Sequence, residues 1–402
     1  MIRSIANTYR SSFSGLSKET WLLSVVILIN RCGYMAIPFM SMYITQGMHR
    51  SLEDAGLIVT LFGVGSVLGT TAGGYLSDKI GFRSVQIMAA LASGLAFFVF
   101  GQITNFSVLC ILIVLLGFIV EAFRPANLTA VASYATPDNL TRSYSLNRLA
   151  INIGWGVGSA LGGFLASINY HLLFRVEGAV NIFVGILIII LLPARKVPVK
   201  EKDNSQNNES IQSPWKDRAA VRFLLLSTLW TICFVLLFRL VPVYWKEEKH
   251  IGESVIGIAL GLNGVIIAVF EMILVKALEK RSAPLTYISA GIAATAIGYC
   301  FLLLPAAASF AMPLLVVLAI TIGEMLAMPF MNSIFMKRSN EYNRGKYSAA
   351  YTLSWSVANI VGPMGGALIA QRFGYLYLWL LMVVVCLLCA YLFKVFAARE
   401  VI

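Results

Sequence analysis

Charge is what this sequence has least of: Asp, Glu, Lys and Arg make up 12% of its 402 residues, against 58% hydrophobic. A water-soluble globule carries about a quarter of its residues charged, so that class is excluded, and a mean hydropathy of +0.80 agrees. Acids are scarcer than bases, 19 against 31, for a net charge of +12. The three histidines, His49, His171 and His250, fall outside the apolar runs, which excludes a histidine relay in the interior. All six cysteines fall inside apolar runs, where they behave as small hydrophobes. Cys386 and Cys389 have the C-x-x-C spacing but no His or acid nearby, so neither a disulfide framework nor a metal site is expected. There is no P-loop, no soluble nucleotide domain and no metal-ligand cluster, which excludes ATP-driven chemistry and intramembrane metalloproteolysis; no cofactor is expected. The first twenty residues are polar and basic without an apolar core, so no cleaved signal peptide is expected.

What is present is a series of apolar segments, each of the roughly 20 residues that cross a bilayer. Twelve can be read, at 20–45, 54–76, 85–103, 107–133, 145–167, 174–193, 219–243, 254–275, 285–304, 311–335, 348–370 and 375–397. An open sheet leaves its backbone unsatisfied in lipid, and the runs lack the alternation of barrel strands, so all are expected to be helices. The outer loops hold only Arg50, Arg175, Lys246, Lys249 and Arg372, and Arg31, Arg124, Arg148 and Arg239 lie within apolar segments. All other basic residues fall on the opposite side, which by the positive-inside rule puts both termini in the cytoplasm. The net charge therefore needs no nucleic-acid partner; the partner is the lipid bilayer of the cytoplasmic (inner) membrane.

A polar stretch at 194–218 reads as a cytoplasmic linker between two six-helix bundles, 1–193 and 219–402. The bundles repeat. A shift of 201 residues lays Tyr43 on Tyr244, Gly56 on Gly257 and Asp78 on Glu279, and a shift of 203 lays Tyr144 on Tyr347 and Gly162-Gly163 on Gly365-Gly366. Such parallel repeats about an axis along the membrane normal suit alternating access, in which two halves rock about a central site.

The loop GGYLSDKIGFRS, Gly73 to Ser84, resembles the G-x-L-x-D-(R/K)-x-G signature of the major facilitator superfamily, and the twelve spans, two repeats and linker extend that resemblance over essentially the whole chain. The resemblance implies an all-α membrane protein with twelve transmembrane helices in two pseudo-symmetric bundles. It also implies a conformational latch formed by Gly74, Asp78, Gly81 and Arg83. The fifth span, INIGWGVGSALGG, places Gly154, Gly158 and Gly162 on one helix face, a packing seam of the small-x-x-x-small kind. It is similar to the glycine-rich motif of the drug/proton antiporter branch, with Ser159 and Ala160 where that branch has Pro; the eleventh span carries the full form in Gly362, Pro363 and Gly366.

Ionisable groups inside the apolar runs carry the functional reading, because a charge at the centre of a membrane helix costs about 2.5–3.5 kcal/mol on insertion scales. Arg31 falls near the middle of the first span. Glu121 and Arg124, three apart on the fourth span, share a face and can pair, with Asn127 continuing that face. Arg148 enters the fifth span. Three cations against one acid predict a cationic cavity. In the second half Glu324 is the mid-span acid, while Glu271 and Arg239 are expected in interfacial water. Glu121, then Glu324, are the candidates to carry a coupled proton. The expected function is secondary active transport of a small molecule by a monomer, proton-coupled efflux of drug-like or amphipathic compounds. Proton-coupled import of a zwitterionic or anionic solute, such as a peptide or iron chelate, is the alternative, and a membrane-embedded enzyme or receptor is the remote one.

Overall fold

The computed structural model describes residues 13–194, 213–251, 253–279, 284–303 and 311–399, so most of the expected linker lies outside the described residues. The described elements are helical, with no strand among them: α1 (Lys18–Cys32), α2 (Met40–Met42, continuing as a π turn over Tyr43–Gly47), α3 (Leu52–Ile80), α4 (Phe82–Phe100), α5 (Phe106–Tyr134), α6 (Leu140–Ile168), α7 (Tyr170–Leu191), α8 (Arg218–Arg239), α9 (Val241–Glu247), α10 (Glu253–Leu278), α11 (Pro284–Leu303), α12 (Ala311–Lys337), α13 (Arg344–Phe373) and α14 (Tyr375–Arg399). Short polar residues start several of them. Ser17, Asn105 and Asn169 accept hydrogen bonds from the first free amides of α1, α5 and α7, which an apolar residue at those positions could not do.

Among the described residues eleven helices are long and apolar enough to cross a membrane. The first expected span, 20–45, is not one of them. It is interrupted after Cys32, and α1 with its 15 residues covers only about 22 Å at 1.5 Å per residue, short of a hydrocarbon core of about 30 Å. Residues 33–39 run without regular structure and include Pro38, whose missing amide cannot serve a helix.

The chain packs as two compact units. One comprises Leu16–Asp217 together with Met336–Leu353, and the other contains Arg218–Phe335 and Ser354–Ile402. In the first, α3 lies along α5, α4 packs on α5 and α7, and α1 packs on α6. The α3–α5 approach is set by Gly65, Gly69 and Gly73, where a Cβ would run into backbone of Val114, Phe118 and Ala122. Its apolar core gathers Met35, Met40, Tyr43, Phe97, Phe100 and Phe174, with the Tyr43 and Phe174 rings 4.8 Å apart edge to face, so the chain after the break is anchored as firmly as the helix before it. In the second unit α11 packs on α14, and Gly291 and Gly323 let α11 and α12 approach through their backbones.

Candidate functional site

In the first unit, Arg124 on α5 donates from Nη1 to Glu121 Oε2 at 3.1 Å, the pairing that i, i+3 spacing permits. Glu121 is buried at 6% exposure, while Arg124 is half-buried. Arg31, at the last turn of α1, sits in the field of Arg124, Glu121, Tyr34 and Glu177, and its guanidinium lies 5.3 Å from the centre of the Tyr34 ring. Arg31 Nε is buried without a hydrogen-bond partner. Asn127 donates to Asn147 Oδ1 at 3.2 Å and so ties α5 to α6 one turn from the ion pair. Arg148 is half-buried near the start of α6, six residues before Gly154, or about 9 Å of helix.

Gly154, Gly158 and Gly162 make the close α1–α6 approach: a Cβ there would meet Arg31 Cβ, the Arg31 and Cys32 carbonyls, and Met35 and Phe39 respectively. The row therefore presses against the residues that carry Arg31 and the break. Gly362 and Gly366 lie against Ile232 and Leu236 of α8 and Leu240 just beyond its end, and Pro363 falls inside α13.

Glu177 on α7 was absent from the expected set. It is 1% exposed, and its Oε2 accepts the backbone N–H groups of Met35 at 2.9 Å and Ala36 at 2.5 Å. Asn30 and Asn181 flank it, joined at 3.0 Å. It adds a second acid to the expected set of Arg31, Arg124 and Arg148 against Glu121. The signal available in the sequence was an acid within the apolar run FRVEGAVNIF, but nothing there tied it to the first span.

In the second unit, Glu324 on α12 is 5% exposed and accepts from Asn263 Nδ2 of α10 at 2.8 Å; the same amide donates to Thr321 Oγ1 at 2.9 Å. Asn263 was likewise unforeseen. Glu271, expected in interfacial water, is fully buried on the packed face of α10, whereas Arg239 is exposed.

At the end of α3, Asp78 accepts from the backbone N–H groups of Gly345 at 2.5 Å and Lys346 at 2.9 Å, so the carboxylate caps the N-terminus of α13, where a helix carries partial positive charge. The backbones cross closely there, since a Cβ on Gly74 would strike Gly345 and Ala349. Gly81 ends α3 at φ +89°, a left-handed conformation that glycine adopts without strain. Arg83 does not join Asp78; its Nε and Nη2 donate to the carbonyls of Leu192 and Ile189 at 2.7 and 2.8 Å, capping the end of α7. Nearby, Asp217 is held by Arg338 through two hydrogen bonds of 2.9 and 3.0 Å and by the Tyr347 hydroxyl at 3.1 Å.

The sequence profile of the Major Facilitator Superfamily matches residues 22–363. The chain belongs to the major facilitator superfamily. As such it is a multi-pass membrane protein and a secondary transporter of small molecules. It is 22% identical over 358 residues to the quinolone resistance protein NorA of Staphylococcus aureus, covering 88% of this chain and 90% of NorA. It is also 22% identical over 368 residues to a Na(+), Li(+), K(+)/H(+) antiporter of Planococcus maritimus, covering 84% and 85%. The fold matches that of a bacterial homologue of the iron transporter ferroportin in its outward-facing state, with a TM-score of 0.74 at 20% identity, over 95% of this chain and all of that one. Within this facilitator, the first unit gathers Glu121, Arg124, Arg31 and Glu177, and the second unit places Asn263 against Glu324.

Proposed function

We propose that this protein exports drug-like or amphipathic compounds from the cytoplasm in exchange for protons, with Glu121 as the first proton carrier and Glu324 as the second. The observation that carries the reading is the buried Glu121–Arg124 pair beside Arg31: an acid held at 3.1 Å by one guanidinium and within the field of another is a group whose charge matters to its surroundings. Alternating occupancy by a proton, as the site opens to each side, gives the exchange its coupling. Resistance and antiporter functions in the names of NorA and the Planococcus protein support export and proton exchange. Glu177 lowers the cationic surplus of Arg31, Arg124 and Arg148, which weakens the case for import of an anionic solute. In this reading the linker joins two six-helix bundles, both termini are cytoplasmic in the inner membrane, the transporter acts as a monomer, and Gly74, Asp78, Gly81 and Arg83 form the latch of one of its states, Asp78 by capping α13 and Arg83 by capping α7.

The test is transport of a lipophilic cationic dye by purified protein in liposomes under an imposed pH gradient. Dye movement against its gradient, coupled to proton flux, supports the reading; dye counterflow without any response to pH removes proton coupling, and absence of all counterflow across a panel of lipophilic compounds removes efflux. Cells lacking the gene should be hypersensitive to members of the same panel.

A further inference from the structure

The break in the first span needs a partner for its backbone, and the partner is an acid from another helix. In lipid every backbone N–H must be satisfied within the protein. At residues 33–39 the helix no longer does so: the Ala36 amide turns to Glu177 Oε2, and the Met35 amide is shared between Glu177 Oε2 and the Gly33 carbonyl, each at 2.9 Å. The other oxygen, Oε1, takes no hydrogen bond among the described residues. Glu177 also lines a cavity of about 20 Å³, together with Asn30, Arg31, Tyr34, Ser93 and Asn181. That volume holds one water, and its walls offer the polar partners a water requires.

The charges around Glu177 are few. The first span contributes Arg31 and Tyr34, and α5 contributes Glu121 and Arg124, which act on Arg31 and are bonded to each other. The cavity wall from α4 presents Ala89, Ala90 and Ser93, none of them ionisable, and on α7 itself the neighbouring Arg175 is exposed. Glu121 therefore has Arg124 as its direct partner, while Glu177 is balanced by Arg31 and by two backbone dipoles.

We infer that Glu177 is a proton-binding site that controls the conformation of the broken first span. The inference rests on the proton-coupled reading above and deepens it. A proton delivered through the cavity adds to Oε1, and the carboxylate becomes a neutral carboxylic acid. Oε2 then changes from an anionic to a neutral acceptor, and hydrogen bonds to an ionised group are roughly twice as strong as neutral ones. The Met35 and Ala36 amides are held less tightly, and Arg31 is left facing Glu121 as its remaining acid. Loss of the proton reverses both changes. Because Gly158 packs on the Arg31 and Cys32 carbonyls and Gly162 on Met35 and Phe39, movement of the break is transmitted directly to α6.

The full-length protein in liposomes gives the test, by hydrogen exchange of the peptide covering residues 33–39, corrected for the chemical effect of pH, and by infrared difference spectra of its carboxyl groups. In the wild type, protection of this peptide should fall as pH is lowered. Glu177→Gln should show the weakly protected state at every pH and lose one titrating carboxyl signal that Glu121→Gln retains. Glu177→Asp, which keeps the charge on a shorter arm, should keep the transition with a displaced midpoint, and it serves if the Gln variant does not fold. Wild-type protection and an undiminished carboxyl signal in Glu177→Gln, or an undisplaced midpoint in Glu177→Asp, would overturn the inference. Dye transport driven by a pH gradient, read on the same liposomes, separates the two ideas. Glu177 titrating without proton-driven transport sinks the transport reading alone, whereas proton-driven transport with no titration at Glu177 sinks this inference alone.

Discussion

The mid-span acids Glu121 and Glu177 of the first unit and Glu324 of the second accept hydrogen bonds from different donors. In the first, Glu121 and Glu177 are met by guanidinium groups and by amides freed where a helix breaks. In the second, Glu324 sits on an unbroken α12 and is met by a neutral amide that also serves a neighbouring hydroxyl. Countercharge is long-ranged, so in the first unit a change of protonation at one acid is felt by every member of the set. Glycines of α3 and α10 differ as well. Gly65, Gly69 and Gly73 of α3 are pressed against the backbone of α5, whereas Gly257, Gly261 and Gly264 of α10 have open space where a Cβ would stand.

The comparison can be broken by mutation, and the largest expected effect is on coupling. Glu121→Gln should abolish accumulation driven by a pH gradient while leaving substrate exchange intact, and Glu324→Gln should impair it less, because Glu121 is bonded to Arg124 and stands in the field of Arg31; proteoliposome assays under matched gradients decide, and equal effects would erase the distinction between the units. Next comes Asp78→Asn, which replaces an anionic acceptor of two amides by a neutral one. It should cost about 2–3 kcal/mol of stability, read as a lowered midpoint of thermal unfolding in detergent. For the glycines, Gly69→Ala should destabilise by about 1–3 kcal/mol, since backbone cannot yield as a side chain can. Gly261→Ala should be neutral or stabilising by up to about 1 kcal/mol, from helix propensity. Similar losses at both sites would show that the α10 glycines are packed after all. The smallest change is Arg83→Gln, which removes a cap on the carbonyls of α7 and should cost about 0.5–1 kcal/mol.

Much of the candidate site lay open to reading from sequence where its parts are neighbours along one helix. Glu121 and Arg124 are three residues apart, and a helix of 3.6 residues per turn brings them together whatever surrounds it. The four-residue glycine row of α6 is similarly local, although its partner is not. Glu177 escaped because its hydrogen bonds cross 142 and 141 residues to a stretch that sequence assigns to an ordinary helix. Asn263 and Glu324 are 61 apart, and neither carries a motif that points to the other. Arg83 could be assigned to the same loop as Asp78, but whether it turns to α13 or to α7 depends on which helix end stands beside it.

Composition and hydropathy alone determined that this chain is a bundle of membrane helices, because the cost of an unsatisfied backbone in lipid leaves a long apolar run one conformation. The signature around Asp78 and the repeat of the halves determined the family. Tertiary structure decided where the first span stops being a helix and which acid its freed amides choose. Those choices depend on groups far apart in the chain that meet only when α1, α6 and α7 are packed, and on a local helix preference weak enough at Gly33–Phe39 for those contacts to overrule it.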